Sequence, residues 1–210
     1  MPNRNMILNL NSISLNWEDF KDDGMRIEIF GQSGAGKSHA AKALLEEFIH
    51  WKIPFVVIDP EGEYLSFKEI TKVLIIGGVY ADLPLESRIF SEIFTFLFTK
   101  NTNIIFDLSE LVGYEERSKI AANIQEALFN AATKYRILFV YLVDETKLIA
   151  PQAYRTKSNA ITADIAQRGR KRGFIPIFVM QRPSEVDKGV HPMQYSFHGK
   201  IAISNRLKIY

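Results

Sequence analysis

Eight consecutive residues constrain this chain more than any other feature: Gly31-Gln32-Ser33-Gly34-Ala35-Gly36-Lys37-Ser38. They stand between a short alternating run, Arg26–Phe30, and a helical pattern over Lys37–Trp51. Their spacing satisfies G-x-x-x-x-G-K-[ST] in full. Glycines let the backbone curl so that successive N–H groups point inward. The following helix turns the positive end of its dipole on the same point. Such a loop grips phosphate, with Lys37 as a mobile cation for the β- and γ-phosphates and Ser38 as an oxygen for Mg²⁺. The expected nucleotide contacts are Gly31, Gln32, Ser33, Gly34, Ala35, Gly36, Lys37 and Ser38, with His39 beside them, and the expected cofactors are ATP and Mg²⁺.

Further short apolar runs recur, with helical patterns between them. Phe55–Ile58 ends in Asp59-Pro60, Asn103–Phe106 in Asp107, Leu138–Val143 in Asp144-Glu145, and Ile175–Met180 in Gln181-Arg182-Pro183. Lys200–Ser204 reads as a last strand. Continuous apolar runs indicate strands covered on both faces, hence a parallel sheet. Helices are expected over Lys37–Trp51, Glu86–Phe98, Glu115–Lys134 and Ala160–Arg172. The alternation predicts an α/β fold with helices on both faces of a mostly parallel sheet. In such a fold, ligands collect at the carboxyl ends of the strands. Asp59 and Asp107 stand at such ends, either as site residues or as loop starters.

The run closed by Asp144 and Glu145 suits a Walker B strand. Asp144 would hold Mg²⁺, and Glu145 would orient and polarise an attacking water. Gln181 is either a strand-end amide that reaches the γ-phosphate or a turn residue before Arg182-Pro183. The basic cluster Gln167–Gly173, with Arg170 and Arg172, admits three readings: contacts to DNA phosphates, a cation offered to a neighbour's nucleotide, or a solvated helix end. Tyr154–Asn159, with Arg155 and Lys157, reads as a mobile loop, either touching a nucleic-acid backbone or simply solvated.

The 210 residues suffice for one domain, with a core at about 25–204 and a short extension at 1–24. The chain lacks cysteine, which removes disulfide and thiolate-metal chemistry and fits a reducing cytoplasm. The net charge of +2 says little about partners. The longest apolar runs are too short to span a bilayer, so no direct membrane insertion is expected. His39, His50, His191 and His198 show no ligand spacing.

Together these segments resemble the HerA/FtsK superfamily of P-loop ATPases, and its HerA-like branch in particular. The resemblance rests on Gly31–Ser38, on Val57-Ile58-Asp59-Pro60-Glu61-Gly62-Glu63-Tyr64, and on the run to Asp144-Glu145 with Ala150-Pro151 beyond it. It rests also on Gly169-Arg170-Lys171-Arg172-Gly173, leading to Gln181-Arg182-Pro183-Ser184-Glu185-Val186-Asp187. Asn103–Leu111 is similar to the family's middle strand. The resemblance spans about residues 25–190 and implies a RecA-like sheet and a strand-end glutamine acting as sensor. It further implies a homo-oligomeric, usually hexameric ring that drives double-stranded DNA through its pore, with a nuclease, portal or secretion machine as a further partner. Relatives serve DNA-end processing, conjugation, chromosome segregation and genome packaging.

Three departures stand out. Full HerA proteins carry an N-terminal β-barrel domain, the segment from Asp59 to Asn103 is short, and the chain ends at Tyr210, where the family has a strand bearing a trans-acting arginine. Lys200 and Arg206 lie in that region without matching it cleanly. A nucleotide-switched assembly ATPase with little turnover is the alternative reading. A small-molecule kinase is a further one, opposed by the lack of an arginine-rich lid segment and by Glu145.

Overall fold

Two apolar layers sandwich a sheet whose strands all run the same way. The computed structural model describes residues 7–10, 13–20, 24–191 and 200–202. The strands are β3 (Ile27–Phe30), β4 (Phe55–Asp59), β5 (Val73–Ile76), β6 (Asn103–Asp107), β7 (Phe139–Val143), β8 (Phe174–Met180) and β9 (Lys200–Ala202). Their spatial order is β5-β6-β4-β7-β8-β3-β9, and every pairing is parallel. A separate antiparallel pair, β1 (Ile7–Leu10) and β2 (Ile13–Asn16), precedes them. Four helices connect the sheet: α1 (Lys37–His50), α2 (Phe90–Lys100), α3 (Tyr114–Tyr135) and α4 (Lys157–Arg168).

Strand alternation divides the core. Ile27, Ile29, Phe55, Val57, Val140, Leu142, Ile175, Ile177 and Val179 pack with Ala41, Leu44, Leu45 and Phe48 of α1. Val56, Ile58, Phe139, Tyr141, Val143, Phe174, Phe178 and Met180 face the other way, against α2, α3 and α4. Central strands buried on both faces account for the unbroken apolar runs of the sequence. Among the described residues, no helix is long and apolar enough to cross a membrane.

The β1–β2 hairpin and β5 were not expected from the sequence. Val73-Leu74-Ile75-Ile76 is a run of the same kind as the others, but it forms the outermost strand, paired with β6 on one side and bridged to Leu83 on the other. The Tyr154–Asn159 loop is corrected. Thr156 caps α4 by accepting from the Asn159 N–H at 3.3 Å, and Ser158 and Asn159 are buried. The Asn159 amide donates to the Pro151 and Tyr154 carbonyls at 2.7 and 2.8 Å, which pins the preceding segment. At its other end α4 stops at Arg168, and Gly169–Arg172 continues as a 3-10 turn. Arg206 and the end of the last expected strand, Ile203 and Ser204, lie outside the described residues.

Candidate active site

Strand order builds this site. β8 lies beside β3, and β7 lies beside β8, so two late strands are inserted between β3 and β4. Phe30 is level with Met180, and Val143 with Phe178. The phosphate loop, Gln181 and Asp144-Glu145 therefore leave the same edge of the sheet, although 150 positions separate Gly31 from Gln181.

Within the loop, Gly36 is the N-cap of α1, with φ 82°, and Gly34 has φ 75°. Both values lie in the left-handed region that a Cβ disfavours. A Cβ on either glycine would meet no atom within 4 Å, so backbone conformation rather than space requires glycine there. No side chain caps the helix, and its first turn carries no acid. The N-terminal N–H groups of α1 are therefore not taken up by a capping side chain, as phosphate binding requires. Lys37 is 7% exposed, and its Nζ donates to the Gln32 carbonyl at 3.3 Å, holding the amine over the loop. Ser38 is half-buried, and Gln32, Ser33, Gly34 and His39 are exposed.

Asp144 is buried at the end of β7. Its Oδ1 accepts from the Glu145 N–H at 2.7 Å, and its Oδ2 accepts from the Tyr64 hydroxyl at 2.8 Å. Burial raises its pKa above the usual carboxylate range; the Tyr64 and Glu145 hydrogen bonds oppose that, and the charges of Glu63 and Glu145 add to it. Burial, Asp144 and Asp59 hold the Tyr64 phenol well above its ordinary value, so it donates.

Glu145 sits at φ 39°, ψ 54°, a left-handed conformation uncommon for a residue with a side chain. This backbone turn opens the 3-10 turn Thr146–Leu148. Glu145 Oε1 accepts from the Gln181 amide at 3.3 Å, while its Oε2 is buried with no hydrogen-bond partner. A carboxylate oxygen to which no protein group donates keeps its acceptor capacity free. Thr146, fully buried, ties the two strand ends. Its hydroxyl lies 3.1 Å from the Val143 carbonyl and 2.9 Å from the Val179 carbonyl.

Asp59 starts its loop. Its Oδ1 accepts from the Glu61 and Glu63 N–H groups at 3.3 and 3.1 Å, and its Oδ2 from the Tyr64 N–H at 2.9 Å. Burial pushes its pKa up to about 6, with Asp107 and Asp144 adding to the rise and the backbone donors opposing it. Asp107 likewise accepts from the Ser109 N–H at 2.9 Å, and a Cβ on Gly78 would collide with its carboxylate. Both aspartates act as loop starters in the fold.

The four basic candidates fall into different settings. Lys157 is paired with Glu126 at 2.6 Å. Arg172 lies over the Phe129 ring at 4.2 Å and donates to the Thr133 hydroxyl at 2.9 Å. Arg170 is exposed, with its side chain running along Gly24, and Arg155 is exposed in the segment before α4.

Sequence reasoning assigned no role to Tyr64 or Thr146. Tyr64 closes the Asp-Pro-Glu-Gly-Glu-Tyr stretch, but its partner lies 80 positions away. Thr146 directly follows the acidic pair, and nothing local marks its second partner, Val179.

A family model described as the central domain of helicase HerA matches residues 19–136. No curated protein sequence matches the chain. Among solved structures, VirB4 of Thermoanaerobacter pseudethanolicus superposes with a TM-score of 0.59 at 14% identity, covering 85% of this chain and 77% of that one. The genome packaging NTPase B204 of Sulfolobus turreted icosahedral virus 2, in complex with ATP-gammaS, gives 0.54 at 15% identity, covering 80% and 69%. The same NTPase in complex with AMP gives 0.53 at 12% identity, with the same coverage. These likenesses show a shared fold.

Proposed function

The chain belongs to the family of the HerA helicase central domain, a HerA/FtsK-type P-loop ATPase, and from that premise we propose a motor that couples Mg-ATP hydrolysis to movement of double-stranded DNA. The observation that carries the catalytic part is the meeting, on one sheet edge, of the phosphate loop, Asp144 and the Glu145–Gln181 pair with its unpartnered Oε2.

The residues present fit a magnesium nucleotide. Asp144 has one donor on each oxygen and lone pairs to spare, and Ser38 stands in the first turn of α1 beside Lys37. Among the described residues, no group of three or more His, Asp or Glu makes a protein-only cage, which suits an ion that takes its other ligands from phosphates and water. Ser38 and Asp144 would hold Mg²⁺, which neutralises charge on the phosphate oxygens when bound. The loop N–H groups and Lys37 bind and orient the triphosphate. Glu145 Oε2 accepts a proton from water as the water oxygen attacks the γ-phosphorus, and the bond to the ADP oxygen breaks. Gln181 holds the glutamate and links it to the presence of the γ-phosphate.

A homo-oligomeric ring, hexameric by family precedent, would bring a neighbour's cation to each site. In comparable switches an arginine supplied this way raises rates about 10³–10⁵-fold. Arg155 and Arg170 suit contacts to a DNA backbone or to a neighbouring subunit. A nucleotide-switched assembly ATPase is the second reading, favoured by the engagement of Lys157 and Arg172 within the fold.

The test is the steady-state ATPase rate with and without linear double-stranded DNA, with Glu145→Gln and Lys37→Ala as controls. The motor reading expects DNA stimulation that falls steeply with salt. It also expects nucleotide binding without turnover in Glu145→Gln and no binding in Lys37→Ala. Turnover indifferent to DNA, at protein concentrations where rings form, removes the DNA part and leaves the assembly reading.

A further inference from the structure

We infer that Tyr64 is the positioning residue of the metal site: its buried hydroxyl fixes the Asp144 carboxylate in the orientation that receives Mg²⁺. This inference rests on the P-loop ATPase reading and deepens it.

Tyr64 is fully buried, yet it stands in a loop. Its position is set from three sides. The Asp59 carboxylate receives its backbone N–H at 2.9 Å and that of Glu63 at 3.1 Å. Its ring stacks with Phe67, centroids 6.4 Å apart and 9° from parallel. The Lys42 ammonium of α1 lies 5.7 Å above the ring. A phenol held in this way has no freedom to follow a moving partner, so Asp144 adapts to it. The 2.8 Å bond occupies one lone pair of Oδ2, and the Glu145 N–H occupies one of Oδ1. The carboxylate is thus fixed in plane and rotamer, and its remaining lone pairs have set directions. A loop after β4 thereby orients an acid on β7.

Partners that orient a metal-binding side chain cost about 10–100-fold in metal affinity when removed. Tyr64→Phe keeps the ring packing and deletes only the donor. It should shift the midpoint of a Mg²⁺ titration upward by about tenfold or more, read as Mg²⁺-dependent binding of a fluorescent ATP analogue. Binding of the same analogue in EDTA, which relies on the loop and Lys37, should be unchanged. Phe94→Leu, in the opposite apolar layer, is the control for packing: it should lower the melting temperature and leave the Mg²⁺ midpoint in place. Asp59→Asn keeps the hydroxyl but disturbs the bonds that set its position. It should move the midpoint in the same direction by a smaller factor, and it serves if Tyr64→Phe does not fold. Coincident titrations of Tyr64→Phe and wild type overturn the inference, as does an equal shift in Phe94→Leu. If only Asp59→Asn folds, an unmoved midpoint does the same. A wild-type protein whose nucleotide binding ignores Mg²⁺ overturns the ATPase reading itself, and this inference with it.

Discussion

Replacing Glu145 by alanine and by glycine separates two things that this position does. The backbone there is left-handed, at φ 39° and ψ 54°. A residue with a Cβ loses about 1–2 kcal/mol in that region. Glycine escapes that cost but loses about 0.5–1 kcal/mol more chain entropy on folding. Glycine should therefore exceed alanine in stability by about 0.5–1 kcal/mol, the reverse of their order inside a helix. Both substitutions remove the same carboxylate, so its contacts cancel when the two variants are compared. Both also lose the Gln181 hydrogen bond, worth about 0.5–1.5 kcal/mol. The expected order is glycine above alanine. For a chain of this size 1 kcal/mol corresponds to about 2–4 °C, so the glycine–alanine gap should be about 1–4 °C. The assay is thermal unfolding by circular dichroism without nucleotide, paired with ATP turnover, which should fall about 10²–10⁴-fold in both variants. A melting temperature for Glu145→Ala equal to or above that of Glu145→Gly refutes the backbone argument. Turnover at the wild-type rate in either refutes the general-base role.

Two further outcomes follow from the same geometry. Thr146→Val keeps the shape of a buried side chain but removes the hydroxyl between the Val143 and Val179 carbonyls. It should cost about 1–2 kcal/mol in urea unfolding and lower turnover more than nucleotide affinity, because that hydroxyl ties the strand ends bearing Glu145 and Gln181. Asp59, with its pKa pushed up to about 6, binds its proton more tightly folded than unfolded. Its contribution is fully present below the unfolded value near 4 and is lost as pH rises to about 6. Unfolding free energy should fall across that window by up to about 3 kcal/mol in wild type and less in Asp59→Asn. Parallel pH profiles for the two proteins would show that Asp59 is not the group responsible.

The sequence by itself determined the local chemistry. Gly31–Ser38 specified a phosphate loop because the turn, the N–H array and the lysine all lie within eight residues. Unbroken apolar runs specified strands buried on both faces, and the ends of two of them delivered Asp144-Glu145 and Gln181. What the sequence left open is what depends on contacts between distant segments. The edge strand Val73–Ile76 carries the same run as its neighbours, and only its pairing with β6 makes it a strand of this sheet. Asn159 reads as a polar loop residue, yet it is buried because the Pro151 and Tyr154 carbonyls and the Asp187 carboxylate converge on its amide. Arg172 and Lys157 read as cations of solvated or partner-facing segments, and only the tertiary structure shows Phe129 under the one and Glu126 beside the other. Tyr64 reaches Asp144 only because β4 and β7 are adjacent in the sheet. A hydrogen bond depends on a few ångströms in space, and strand order, not chain order, sets that distance.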